Sequence, residues 1–281
     1  MNEFFLSNGI PVPYLLFGSF QVKGADTLSG VVHSAVENGV MGFDTSPSYR
    51  TERAVADAVR REIADGRKSR ADFWVQSKID IWQMIVHKGD IRDVALQYME
   101  RAGMEYWDAL LIHWPQPDYL LPTWRALEKM YEEKLVRSIG VCNFSLRHFR
   151  TLMDGDIGML PQICQNEIHP CNTEPELAAF CKAHGILLEA YSPLCRMLPC
   201  VKDDPIILGL SAQYGVSPAQ LILRWHLEHG RVPIVKTDNP ARAKENADIR
   251  SFSLKPEDVQ AIDGLNRRFK IFLESRNCPG Y

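Results

Sequence analysis

Short apolar runs recur along the whole chain, at Leu15–Gly18, Val40–Asp44, Phe73–Ser77, Ala109–His113, Ser138–Val141, Ile163–Glu167, Leu187–Tyr191 and Val232–Val235. Each is too short and too rich in β-branched or aromatic residues for a helix, so eight strands are predicted. The segments between them carry a helical period. The clearest is Ile91–Ala102, where Ile91, Val94, Ala95, Tyr98, Met99 and Ala102 share one face. Proline at a first helical position marks two further starts, at Ser217-Pro218 and Lys255-Pro256. Such alternation predicts an α/β protein with parallel strands joined by crossover helices. Eight units in roughly 250 residues fit a closed (β/α)8 TIM barrel better than an open doubly wound sheet, whose G-x-G-x-x-G is absent after the first strand. No Pro/Gly/Ser linker divides the chain, so residues 1–281 are expected to form a single barrel domain. Ahead of the first strand, Phe4–Ser7 and Ile10–Val12 flank Asn8-Gly9, which predicts an N-terminal β-hairpin closing the barrel floor.

Of the 281 residues, 46% are hydrophobic and 24% charged, the composition of a globular protein and not of a disordered or fibrous one. The net charge of −3 offers no basic surface to nucleic acid or to an anionic membrane, so an anionic ligand must be held by local groups. The seven cysteines are odd in number and scattered, without CxxC pairs or close Cys/His ligand spacing, and read as reduced thiols with no metal site. The start has no basic stretch followed by an apolar one, and nowhere do 18 apolar residues run together, so a cytoplasmic protein is expected.

In an α/β barrel the site is built at the C-terminal ends of the strands. Nearly every apolar run here ends in a polar residue: Asp44, Lys78, His113, Asn143, Gln165 with Glu167, Tyr191 with Ser192, and Lys236 with Thr237. Two of these ends suggest chemistry. Tyr49 follows Asp44 on a short rim loop, and a phenol is a poor acid near neutrality unless a cation favours its phenolate. Lys78, held by Asp44, is placed to be that cation, and His113 to polarise a substrate oxygen from the other side. After the eighth strand, Lys236-Thr237-Asp238-Asn239-Pro240 opens a helix on which Arg242 follows, so Lys236, Thr237 and Arg242 can converge on an anion.

At these positions the sequence resembles the aldo-keto reductase family, from the hairpin to at least Asn246. Gly42-Phe43-Asp44-Thr45-Ser46-Pro47-Ser48-Tyr49-Arg50-Thr51-Glu52 is similar to the family's G-x-D-T-A-x-x-Y-x-N-E block. Ser77-Lys78, Leu111-Ile112-His113-Trp114-Pro115 and Val141-Cys142-Asn143-Phe144-Ser145 are similar to further family blocks. The resemblance implies a catalytic tetrad of Asp44, Tyr49, Lys78 and His113 and the cofactor NADPH/NADP+. Asn143 and Gln165 would bond the nicotinamide carboxamide, Tyr191 would stack on its ring, and Ser192-Pro193-Leu194 would cross the pyrophosphate. Lys236, Thr237 and Arg242 would grip the 2′-phosphate, with Glu245 and Asn246 towards the adenine. Candidate lining of the substrate pocket is Phe20, Gln21, Trp82, Trp114 and Phe272, with Phe269 and Tyr281 of the tail helping to close it. The chain departs from the family at Leu16 and Cys195, where glycine is usual, at Phe20, where tryptophan is common, and at Cys142, which replaces a serine.

The expectation is a monomeric carbonyl reductase acting on a small-molecule aldehyde or ketone, or on the alcohol in reverse. Two other readings are kept. An NADPH-binding regulatory or redox-sensing subunit would share the fold and is told apart by multiple-turnover activity. A metal-dependent barrel hydrolase would draw on His113, Glu167 and His169, whose spacing has no zinc signature.

Overall fold

Eight parallel strands close on themselves in a computed structural model that describes residues 3–64, 66–273 and 278. Two short strands precede the barrel, β1 (Glu3–Phe5) and β2 (Pro11–Pro13). The barrel strands are β3 (Leu16–Gly18), β4 (Gly42–Asp44), β5 (Trp74–Ile79), β6 (Ala109–Ile112), β7 (Ile139–Cys142), β8 (Ile163–Glu167), β9 (Leu187–Tyr191) and β10 (Val232–Val235). They neighbour one another in chain order, and β10 pairs with β3 to close the ring. The barrel strands are almost wholly buried, which is why they read as near-continuous apolar runs in the sequence. All eight predicted strands are present. The boundary that matters most is that of β5, which continues through Lys78 to Ile79 and does not stop at Ser77.

The expected helices also form. Arg92–Ala102 is one, and Gly103 at φ +70 ends it, a left-handed residue that glycine adopts without strain. Pro218–Glu228 opens on a reciprocal cap, Ser217 Oγ accepting from Gln220 N at 3.2 Å and Gln220 Oε1 from Ser217 N at 3.1 Å. Pro256–Asp263 is the third. Among the described residues no single helix is long and apolar enough to cross a membrane.

The N-terminal hairpin pairs β1 with β2, and Gly9 at φ +81 makes the turn. Its Leu6 and Val12 belong to the same buried cluster as Leu16, Trp74, Ala109, Leu111, Ile163, Leu187, Val232 and Ile234, so the hairpin closes the barrel floor as expected. Asn8 Nδ2 ties it down by donating to the Arg137 carbonyl at 3.1 Å. Leu16 fits its place because Gly42 opposite has no side chain: a Cβ there would fall 2.2 Å from Leu16 Cδ2. Bulk on one strand is balanced by its absence on the next.

Candidate active site

Above the apolar floor the barrel interior turns polar. Lys78 is fully buried, and its Nζ donates to both Asp44 oxygens, at 2.6 and 2.8 Å, and to the Thr45 carbonyl at 3.0 Å. An ammonium is tolerated in a strand interior because a carboxylate faces it and every donor has an acceptor. Burial alone would lower the amine's pKa; the Asp44 charge outweighs it and holds the lysine above its usual range.

After β4 the chain makes a short turn, Pro47–Tyr49, ended by Arg50 at φ 58, which brings Tyr49 back over the barrel mouth. The Lys78 ammonium lies 4.9 Å from the Tyr49 ring centroid, and Tyr49 Oη is 3.4 Å from His113 Nε2. Asp44, Tyr49, Lys78 and His113 therefore converge. One part of the sequence reading is corrected. Burial raises the phenol's pKa by more than Lys78 lowers it, so the net shift is upward and Tyr49 stands as a protonated phenol near neutrality.

A residue that sequence reasoning passed over completes this group. Asp80 follows the end of β5, and its Oδ1 lies 2.5 Å from His113 Nδ1. Ser46 Oγ and Ser48 Oγ also donate to Oδ1, at 3.0 and 3.1 Å, and Ser48 N donates to Oδ2 at 2.8 Å. Burial alone would raise the carboxyl's pKa; the His113 contact and the serine hydrogen bonds hold it below the ordinary range. An ionised carboxylate only accepts, so Nδ1 carries the proton and Nε2 is the nitrogen presented to the mouth. The signal in the sequence is the period of two: Trp74, Gln76, Lys78 and Asp80 fall on one face of a strand.

The same period hid Glu189, two residues before Tyr191. Its Oε2 accepts from Gln76 Nε2 at 2.8 Å and Gln165 Nε2 at 2.9 Å, and both amides also donate to Asp44 Oδ1, at 3.0 and 3.1 Å. Burial drives the Glu189 carboxyl up to about 7, against those hydrogen bonds. Gln165, expected to meet a nicotinamide, thus has its amide nitrogen engaged inside the barrel. Asn143 adopts φ 61 at the end of β7, donates to the His113 carbonyl at 2.8 Å and accepts from Tyr191 Oη at 2.7 Å. Ser192, at φ 50, turns the chain after β9 toward Leu194, and both are half-buried.

At the far side, Lys236 is exposed and loosely paired with Asp238 at 3.4 Å, while Arg242 is exposed on helix Pro240–Ala247. Thr237 and Asn246 are buried beneath them, and Asn239 caps the helix by accepting from Ala241 N at 2.9 Å. Two cations with little internal pairing at a helix N-terminus suit a phosphate. Glu245 also lines a groove of about 610 Å³ with Asn38, Gln220 and Arg250, none of which belongs to the barrel mouth.

Phe20 and Phe272, two of the candidate wall aromatics, gather with Tyr49 and Tyr191. The Phe20 ring lies 5.0 Å from Tyr49 and 6.2 Å from Phe272, which is 5.7 Å from Tyr191. Trp114 is half-buried beside His113. Gln21 is exposed. Trp82 is 43% exposed and leans on Tyr98 at 5.9 Å, not on any mouth aromatic. Phe269 sits by His169 at 6.4 Å, and Tyr281 lies outside the described residues.

A model of the Aldo/keto reductase family matches residues 15–198 and 201–267. The chain is 36% identical over 266 residues to a glyoxal reductase of Bacillus subtilis (strain 168), covering 95% of this chain and 93% of that one. It is 36% identical over 264 residues to 2,5-diketo-D-gluconic acid reductase B of Corynebacterium sp. (strain SHS752001), covering 93% and 92%. The crystal structure of a Bombyx mori aldo-keto reductase in complex with NADP matches with a TM-score of 0.91 at 30% identity, over 99% of this chain and 98% of that one.

Proposed function

The chain belongs to the aldo-keto reductase family, and from that premise we propose that it is a cytoplasmic, monomeric NADPH-dependent reductase of small aldehydes and ketones, α-dicarbonyls first among them. The α-dicarbonyl class is suggested by the glyoxal named for the Bacillus subtilis relative. The observation that carries the reading is the stack of Asp44, Lys78 and Tyr49 under the mouth, with Tyr49 Oη 3.4 Å from His113 Nε2.

When bound, NADPH supplies the hydride to the carbonyl carbon. Tyr49, protonated near neutrality, gives its phenolic proton to the carbonyl oxygen. Lys78 then lies beside the phenolate left behind, and Asp44 keeps the lysine charged and in place. His113, held through Nδ1 by Asp80, presents Nε2 beside Tyr49 and polarises the carbonyl oxygen from the other side. In the oxidative direction the same groups run in reverse. Asn143, Gln165 and Tyr191 would hold the nicotinamide end, Ser192 and Leu194 the pyrophosphate, and Lys236, Thr237 and Arg242 the 2′-phosphate, with Glu245 and Asn246 towards the adenine. Phe20, Trp114 and Phe272 exclude water from the reacting carbon.

The test is NADPH oxidation followed by absorbance across glyoxal, methylglyoxal, simple aldehydes, ketones and quinones. Multiple turnovers with an α-dicarbonyl support the reading. NADPH binding without turnover on any of them favours a regulatory subunit instead.

A further inference from the structure

At the rim beside the barrel mouth, three ligand-type side chains cluster, with a fourth next to them, where the segment after β8 meets the segment after β9. His169 and Cys171 come from the first, Cys195 and Cys200 from the second. A ring nitrogen of His169 and the sulfurs of Cys171 and Cys195 all lie within 4.8 Å of one another. Cys195 Sγ is 4.0 Å from Cys200 Sγ, and Cys171 Sγ donates to the Cys200 carbonyl at 3.5 Å. Two thiolates on one tetrahedral zinc, with Zn–S near 2.3 Å, stand about 3.8 Å apart, close to the Cys195–Cys200 separation.

The histidine is oriented for the same purpose. His169 is fully buried and its Nε2 lies 3.0 Å from Glu167 Oε1, which fixes the proton on Nε2 and leaves a lone pair on Nδ1. Among the described residues Nδ1 has no hydrogen-bond partner, an uncommon condition for a buried ring nitrogen. A carboxylate on one nitrogen of a histidine, with the other left unpartnered, is the usual outer support of a metal ligand.

We propose that His169 and the sulfurs of Cys171 and Cys195, with Cys200 brought in from its place beside Cys195, form a tetrahedral site for one zinc ion at the barrel rim, distinct from the catalytic group of Asp44, Tyr49, Lys78 and His113. Binding displaces three thiol protons to solvent and leaves a complex of net charge −1. Burial pushes the Cys171 thiol up to about 12 and Cys195 higher still, so in the metal-free chain both are protonated and poor nucleophiles. Arg267 is the positive charge that acts on Cys171 in the opposite sense. Cys200 is only half-buried and gives the ion an entry side.

The site joins two segments. Cys195 opens a run of three left-handed residues, Cys195, Arg196 and Met197 at φ 48, 51 and 52, directly after Ser192–Leu194. Glu167, behind His169, accepts from Ile271 N at 2.6 Å and Phe272 N at 2.8 Å. A bound ion therefore pins an otherwise strained loop and, through Glu167, the segment that carries Phe272 over the mouth.

Spacing alone missed the cluster because its two pairs are separated by a helix and β9. The test is Co2+ titration of the chelator-treated full chain, with elemental analysis of the protein as purified. One equivalent of Co2+, an intense near-ultraviolet sulfur-to-cobalt band and displacement by zinc are expected. Cys171→Ser and Cys195→Ser should each weaken Co2+ binding at least ~10-fold and diminish the band. Cys181→Ser, a buried thiol elsewhere, should change neither. Should the first two variants fail to fold, Cys200→Ser carries the comparison. A folded wild-type chain that shows no band, or a band unchanged in the folded serine variants, overturns the proposal.

Discussion

Nδ1 of His113 and Oδ1 of Asp80 are 2.5 Å apart across the ends of neighbouring strands β6 and β5, one residue beyond each. This contact sets which nitrogen of His113 reaches the mouth. Replacing Asp80 with Asn removes the obligate acceptor and its negative charge while nearly preserving shape. We expect Asp80→Asn to lower kcat about 10²-fold and to leave NADPH affinity unchanged. Unchanged turnover would detach Asp80 from the chemistry.

The Lys78–Asp44 pair is buried, and removing one partner leaves the other charge uncompensated. Lys78→Met should therefore cost about 3–5 kcal/mol of stability. The double variant Lys78→Met/Asp44→Asn should recover a large part of that loss. Denaturant unfolding of wild type, single and double variants checks both, and a single variant as stable as wild type contradicts the pairing.

Glu189 makes the stability pH-dependent in an unusual direction. Its carboxyl is raised from 4.5 to about 7, so the folded state binds a proton more tightly than the unfolded state does. The contribution is full below the unfolded value and is lost as pH rises from ~4.5 through ~7, at most about 3 kcal/mol. Glu52, also raised to about 7 by burial, adds in the same sense. Melting temperatures across that range should fall with pH, and fall less in Glu189→Gln. A steeper fall in the variant would refute the assignment.

Lys236→Ala should weaken NADPH by about 10-fold or more and NADH little, because only the former carries the 2′-phosphate. Paired titrations decide, and equal weakening of both cofactors removes Lys236 from that role.

Much of this was legible in the chain. Strands buried on both faces are apolar runs, so β3 to β10 could be located, and the polar residue closing each run named Asp44, Lys78, His113, Asn143 and Tyr191. The hairpin was legible because Asn8-Gly9 allows few alternatives. Polar residues inside the strands were not. Gln76 and Glu189 occupy positions normally apolar, and Asp80 sits beyond a lysine that read as the strand's end. Their partners come from other strands, so no local pattern announces them. Trp82 failed for the opposite reason: an aromatic near the site in sequence turns outward to Tyr98 on a neighbouring helix.

The central claim is that Tyr49 supplies the proton. Turnover of an α-dicarbonyl by wild type and Tyr49→Phe, with NADPH affinity measured on both, tests it most directly. The account predicts that Tyr49→Phe loses at least about 10²-fold in kcat with NADPH affinity nearly intact. Turnover by the variant at the wild-type rate, or a loss of affinity as large as the loss of rate, would contradict it.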